Sequence, residues 1–219
     1  MQVNSSESLS THGFSVEAGV FLLEEISQML AWLPELGEAA GTRSLLDIPE
    51  CRELAADPRI RTLVEADLGS SAIPVRGILF DKNPNANWVL GFHQDRKIAV
   101  KQRIEVLGFT AWSEKEGVTH CQPPKEVLEQ CLAVRIHLDD CGPENGPLRV
   151  VPGSHLNGLN SLNTDLPKQT LPAKAGDVIL MKPLLWHASS KATNPSHRRV
   201  IHIEFSSARL PSGLEWAFA

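Results

Sequence analysis

The feature that most constrains the fold is a change of texture near Ala72. Upstream, apolar residues recur at helical spacing; downstream, short β-rich runs alternate with turns almost to the end of the chain. The runs read IPVRGILF, NWVLGFHQ, KIAVKQRIEVLGFTAW, LAVRIHLDD, LRVVPGSH, DVILMK and RRVIHIEF. Asp81-Lys82-Asn83-Pro84, Gly142-Pro143-Glu144-Asn145-Gly146 and Gly176-Asp177 separate them with residues that favour tight turns. Many short strands punctuated in this way predict a sandwich or barrel rather than an α/β fold. The expected architecture is an all-β core over residues 72–210, a jelly roll (a double-stranded β-helix or cupin-like barrel), buttressed by N-terminal α-helices within residues 1–70. No repeat and no linker divides the sequence, so residues 1–219 are expected to form one domain.

In the N-terminal part, residues 1–12 are polar and are expected to be frayed. Val20, Leu23, Ile26, Met29, Leu30 and Leu33 then predict a helix from Ser15 to about Glu38. Ser15 would cap it, with Glu17 in the first turn. A second helical stretch, PECRELAADPRIRTLVEADLG, is interrupted at Pro58 and stopped by Gly69.

A formal net charge of -5 argues against nucleic acid as a partner, because that role normally needs a basic surface. No run approaches the eighteen apolar residues of a membrane span, and the first residues lack the charged-then-apolar order of a signal peptide. Cys51, Cys121, Cys131 and Cys141 form no CxxC pair. Free thiols in a cytoplasmic protein are the expectation.

Chemistry concentrates at His93-Gln94-Asp95. On a strand, side chains two apart share a face, so His93 and Asp95 can reach one metal while Gln94 points away or supports them from outside. An HxD pair alone is a weak signal in a chain with eight histidines. Here the apolar stretch NWVLGF leads into it, and His187 likewise ends the run DVILMKPLLWH. The turn residues 188–197 then predict a hairpin that returns Arg198 or Arg199 beside His187. Two neutral imidazoles and one carboxylate occupy one face of Fe(II) and leave open positions. A 2-oxo acid can chelate there beside oxygen, and an arginine can grip its remote carboxylate. Zinc accepts the same ligands. A zinc-dependent barrel enzyme and a non-catalytic ligand-binding barrel are therefore the alternatives.

The segments LFDKNP…FHQD, ENGPLRVVPGSH, GDVILMKPLLWHASS and NPSHRRVIHIEF, in this order, resemble the phytanoyl-CoA dioxygenase family of Fe(II)- and 2-oxoglutarate-dependent oxygenases. The resemblance spans about residues 76 to 206. It implies His93, Asp95 and His187 as iron ligands, Arg198 on the far carboxylate of 2-oxoglutarate, and Ser189 as a hydroxyl assisting Arg198. Strand parity agrees, since Arg198 shares a face with Val200, His202 and Glu204, whereas Arg199 shares one with Ile201, Ile203 and Phe205. Lys82 matches a family lysine and is a further co-substrate candidate. Arg135 stands where relatives often carry an aromatic residue; it is a candidate for the co-substrate or an anionic substrate, or a partner of Asp139 or Asp140. The reaction implied is hydroxylation of a small-molecule metabolite with O2, releasing succinate and CO2. The presence of Asp95 favours hydroxylation over halogenation, because related halogenases lack that carboxylate.

The stretch from Arg96 to Pro124 is where the family varies. It holds Arg96, Lys97, Lys101 and Arg103, then WSEKEGVTHCQPP, which is expected to be a lid-like loop. Gln94, Trp112, Lys115 and His120 are the candidates to face a polar or anionic substrate. PGSH at 152–155 reads as a structural turn.

Overall fold

The computed structural model of the chain describes residues 5–36, 39–163 and 165–219. The elements are α1 (Ser5–His12), β1 (Phe14–Glu17), α2 (Leu23–Trp32), β2 (Gly41–Thr42), α3 (Pro49–Ala55), α4 (Pro58–Leu68), β3 (Ile73–Lys82), β4 (Leu90–His93), β5 (Ile98–Val100), β6 (Thr110–Lys115), β7 (Val118–Gln122), α5 (Lys125–Leu128), β8 (Cys131–His137), β9 (Leu148–Val150), β10 (Gln169–Leu171), β11 (Val178–Met181), β12 (His187–Ser189) and β13 (Arg198–Ser206). A large antiparallel sheet runs β1-β11-β8-β13-β3-β2, and a smaller one β10-β9-β12-β4. Together they make the jelly roll expected from the strand pattern, and side chains of both line one interior cavity. A third sheet, β5-β7-β6, stands beside them.

Period-two alternation gives the large sheet two distinct faces. Leu132, Val134 and Ile136 of β8, with Ile201, Ile203 and Phe205 of β13, pack against Ile26, Met29, Leu54, Ile60 and Val64 of the helices. Each fully buried Leu, Ile or Phe in that layer contributes about 1.5–3 kcal/mol. The opposite face carries Arg135 on β8 and Arg198 and His202 on β13, all of which line the cavity. The helical layer thus stabilises one side of a sheet whose other side is committed to polar groups.

Several local expectations are corrected. Residues 5–12 are not frayed but form α1, anchored by Leu9 in the core. The helix expected from Ser15 begins only at Leu23 and ends at Trp32; its expected end, Glu38, lies outside the described residues. Ser15 instead belongs to β1, paired with Leu180 on the edge of the large sheet, and its hydroxyl donates to Glu17 rather than capping a helix. Backbone pairing to β11 outweighs local helix propensity there, and Gly19, at φ 62°, turns the chain before α2 starts. The Glu25 carboxylate then accepts the Leu22 N–H at 2.8 Å at the start of α2.

Downstream, KIAVKQRIEVLGFTAW is not one strand. It splits into β5 and β6 around a loop whose Leu107 is 99% exposed. WSEKEGVTHCQPP is not a loop either: β6 and β7 pair as a hairpin, with Glu116 and Gly117 both at positive φ in its turn. The hairpin expected between His187 and Arg198 is also absent. β12 pairs with β4 and β9 in the small sheet, whereas β13 pairs with β3 and β8 in the large one. Residues 190–197 cross between sheets, and Arg198 meets the β12 side chains across the interior.

Among the described residues, no helix is long and apolar enough to cross a membrane.

Candidate active site

His93 and His187 are direct cross-strand partners on β4 and β12. Their rings lie 4.1 Å apart between centroids. Each turns Nδ1 to a backbone carbonyl two residues back, Gly91 O at 2.8 Å and Leu185 O at 2.9 Å. A carbonyl can only accept, so Nδ1 carries the proton in both rings and both Nε2 lone pairs are free. Asp95 follows the end of β4, where its N–H donates to Pro183 O at 2.9 Å. Its two carboxylate oxygens stand 3.8 Å from His93 Nε2 and 3.6 Å from His187 Nε2.

Those separations are too long for hydrogen bonds. They suit ligands of one ion, since two atoms each about 2.1 Å from a metal stand at most about 4.2 Å apart. The protonation states fit as well. Burial pushes the His187 imidazole down to about 4, only partly opposed by Asp95. Burial would raise Asp95, but His187, His202, His93 and Arg76 outweigh it and hold the carboxyl at about 2. At neutral pH the set is a neutral imidazole beside an ionised carboxylate, the form in which each binds a metal. Asp95, His202 and Glu204 also cluster, but the last two are committed elsewhere: His202 accepts from Arg135 through Nδ1 and faces Glu204 through Nε2, while Glu204 pairs with Arg76.

In the interior lies a second, cationic assembly. Arg198 and Lys82 are cross-strand partners on β13 and β3, 3% and 0% exposed. Both converge on the Ser189 hydroxyl, Arg198 Nη1 at 3.2 Å and Lys82 Nζ at 3.0 Å. Arg198 also donates to Gly146 O, and Lys82 to Ser190 O. Neither has a carboxylate partner among the described residues. Burial, reinforced by Arg198, pushes Lys82 down to about 8. Arg135 is likewise buried without an acid, and burial with the charge of Arg198 pushes it to about 10. The Nε atoms of Arg198 and Arg135 are buried with no hydrogen-bond partner. Three buried cations, with orphaned donors on two of them, form a seat for a small anion. Lys82 is thus enclosed by the fold rather than solvated.

The cavity of about 480 Å³ joins the two assemblies, with His93, Asp95, His187, Ser189, Arg135 and Arg198 in its wall. Lys115 and Gln94 line it too. Gln94 is tied to backbone, donating to Gly158 O and Leu184 O, and its Oε1 accepts from Arg96. Trp112 and His120 are not in the lining: Trp112 packs on the core beneath the third sheet, and His120 is buried against the Val118 carbonyl. Arg199 turns outward to Asp139, which therefore does not pair with Arg135.

Gly146, His202, Glu204 and Arg76 were not singled out from sequence as site residues. At Gly146, φ is 63° and an added Cβ would stand 2.5 Å from Ser190 O and 3.2 Å from Lys82 Nζ. Glycine is required there for the turn and for the close approach. His202 and Glu204 had a usable signal, their alternation with Arg198 along β13. Arg76 had none, because only the pairing of β3 with β13 places it opposite Glu204.

A jelly roll with a two-histidine, one-carboxylate site beside a buried anion seat defines a class: metal-dependent enzymes of the non-haem type that take an acidic co-substrate. The chain belongs to the phytanoyl-CoA dioxygenase (PhyH) family, whose model matches residues 20–200. That family uses Fe(II), 2-oxoglutarate and O2. No curated protein matches the sequence significantly. Solved structures share the fold. EvdMO1 is 24% identical with a TM-score of 0.68; the match covers 95% of this chain but 49% of EvdMO1, so the chain spans about half its length. The carbocyclase SnoK of nogalamycin biosynthesis is 18% identical, TM-score 0.70, with 98% and 86% covered. The epimerase SnoN, solved with Fe3+, α-ketoglutarate and nogalamycin RO, is 18% identical, TM-score 0.68, with 95% and 90% covered.

Proposed function

We propose that this chain is a non-haem Fe(II)- and 2-oxoglutarate-dependent dioxygenase that hydroxylates a small-molecule metabolite, acting as one catalytic domain and releasing succinate and CO2. The observation that carries the reading is the shared cavity: three ligand side chains open into the same space as Arg198, Arg135 and Ser189, and Ser189 in turn is held by the fully buried Lys82. His93, Asp95 and His187 hold the metal. Arg198 and Lys82 bind the far carboxylate of the co-substrate, and Ser189 orients both cations. Arg135 adds positive potential on the large-sheet wall. When bound, iron with 2-oxoglutarate and O2 supplies the oxidising power, with decarboxylation of the co-substrate as its source of electrons.

The protein groups contribute position and charge. The paired Nδ1–carbonyl bonds fix both imidazole planes before a ligand arrives. Enclosure between two sheets strengthens the attraction of Arg198 and Lys82 for a carboxylate. A cytoplasmic location is part of the proposal, supported by four buried cysteines with no disulfide. The partner is a small molecule, not nucleic acid or a membrane.

The fold also serves an epimerase and a carbocyclase, so the outcome for a given substrate depends on which bond it presents. The test is an anaerobic titration of apo-protein with Fe(II) and 2-oxoglutarate, followed by visible absorbance, then aeration with mass analysis of products. A charge-transfer band that needs both additions, and a product heavier by one oxygen atom, are expected. Tight zinc binding without any band would move the reading to a zinc-dependent barrel enzyme or a ligand-binding barrel.

A further inference from the structure

Besides the cationic seat, the cavity wall carries a second set of cations that the co-substrate does not need. Seven lysines and arginines line the cavity against a single carboxylate, Asp95, in a chain whose net charge is -5. Arg198 and Arg135 belong to the co-substrate seat. Arg76 is neutralised by Glu204 and Arg43 by Glu116. Arg96, Lys97 and Lys115 remain, with no acid partner among the described residues.

Each of the three is placed. Arg96 follows Asp95 directly, and its Nε and Nη2 both donate to Gln94 Oε1, at 3.0 and 2.7 Å. Gln94 is itself held by two backbone carbonyls, and the guanidinium lies 5.5 Å from the Trp186 ring centroid. That leaves the Nη1 side of the fork unpartnered. Lys97 Nζ donates to Ala111 O and Ser113 Oγ, both at 2.7 Å, which props it against β6. Ser113 and Lys115 share a face of β6, so Lys115 rises beside Lys97. Burial and the charges of Arg43, Lys97 and Arg76 lower the pKa of Lys115, as expected of a cation crowded by its like. Two other cations of the same stretch behave differently: Lys101 pairs with Glu215 and Arg103 with Glu105, outside the cavity. Lys101 and Arg103 thus each have a carboxylate neighbour, whereas Arg96, Lys97 and Lys115 have none among the described residues.

Resting on the oxygenase reading above, we infer that the oxidised substrate carries a phosphate group held by Arg96, Lys97 and Lys115. A carboxylate brings one negative charge, whereas a phosphate monoester brings about 1.5–2 near neutral pH and three acceptor oxygens. The free Nη1 side of one guanidinium and two ammonium groups match the latter in charge and in donors. The arrangement gives the cavity two anion sites, one for the co-substrate and one for the substrate. The substrate's phosphate then anchors it while its carbon skeleton lies across the metal.

The experiment is anaerobic calorimetry on protein loaded with Fe(II) and 2-oxoglutarate, titrated with phenyl phosphate, benzoate or benzyl alcohol. Loading occupies the Arg198 seat, so added anions report the other site. Phenyl phosphate is expected to bind saturably and at least tenfold tighter than benzoate, with benzyl alcohol weakest. In the Lys97→Ala/Lys115→Ala double variant, and in Arg96→Ala, that affinity should fall tenfold or more while the charge-transfer band persists. A persisting band with no phosphate preference, or with affinity unchanged in the variants, overturns this inference alone. Tighter benzoate binding overturns it in favour of a carboxylic acid substrate. Absence of the band in the parent protein removes the oxygenase reading and this inference with it.

Discussion

The two cationic regions of the cavity differ in how they are built. Arg198 and Lys82 are almost wholly buried, locked to each other by a shared serine hydroxyl and to backbone carbonyls on either side. Arg96 and Lys97 are partly exposed and Lys115 is exposed; Gln94 and the Trp186 ring steady Arg96, and Ala111 O and Ser113 Oγ steady Lys97. Burying a cation without an acid costs several kcal/mol, and the fold bears that cost twice within one pair of strands. Such an arrangement suits a ligand that is always the same, as a co-substrate is. The outer set costs little to maintain and leaves its ligand to screening water and salt.

The contrast can be broken most severely at its inner end. Asp95→Gly should abolish coupled turnover and weaken metal binding more than about 100-fold, the upper end of what loss of mere supporting contacts does; metal titration checks it, and full hydroxylase activity in this variant would sink the ligand assignment. Arg198→Ala should weaken 2-oxoglutarate by roughly 100-fold, or ~2.7 kcal/mol, within the range for losing one partner of a buried charge pair.

Lys82→Met sharpens the difference between stability and function. Co-substrate affinity should fall about tenfold, while the unliganded protein melts a few degrees higher because an unpaired buried charge is gone. The folded pKa of Lys82 is about 8, below the ordinary 10.5. Below pH 8 the folded protein carries the full burial cost. Between pH 8 and 10.5 the unfolded chain binds more protons, so the parent gains stability as pH rises. The melting advantage of Lys82→Met should therefore be largest below pH 8 and shrink towards pH 10.5. A constant advantage would mean that packing, not charge, explains it.

The smallest effect concerns salt. Raising ionic strength from about 0.05 to 0.5 M should weaken ligands of the outer cations several-fold and 2-oxoglutarate much less, because screening acts mainly on exposed charges. Equal salt sensitivity in calorimetry would erase the distinction between the two regions.

How far each region was legible follows from the same physics. His93, Asp95 and His187 could be picked out as candidates that the fold brings together because ligand type and strand spacing are local, and Arg198 was favoured over Arg199 by strand parity together with the family resemblance. The strands themselves were visible as β-rich runs, and the helices α3 and α4 as a stretch broken at Pro58 and closed by Gly69. Lys82 was not readable from its surroundings in sequence, since a lysine in a Asp-Lys-Asn-Pro turn looks solvated until β13 covers it. Gly146 was hidden in an ordinary turn, because its role lies in contacts to Ser190 and Lys82 far along the chain. β1 escaped for the same reason: its partner, β11, is more than 160 residues away. The crossing of residues 190–197 between sheets was missed because a hairpin is the default for two short runs joined by turn residues.

In the proposed function, Arg198 and Lys82 hold a remote carboxylate while the other end of the same molecule meets the metal. Comparing 2-oxoglutarate with 2-oxobutyrate tests it most directly, since both carry the chelating 2-oxo acid and only the first has a far carboxylate. Anaerobic binding to the Fe(II) protein should favour 2-oxoglutarate by about 100-fold or more, and the preference should collapse in Arg198→Ala. Equal affinity for the two acids in the parent protein, or a preference that survives Arg198→Ala, would contradict the assignment of the seat.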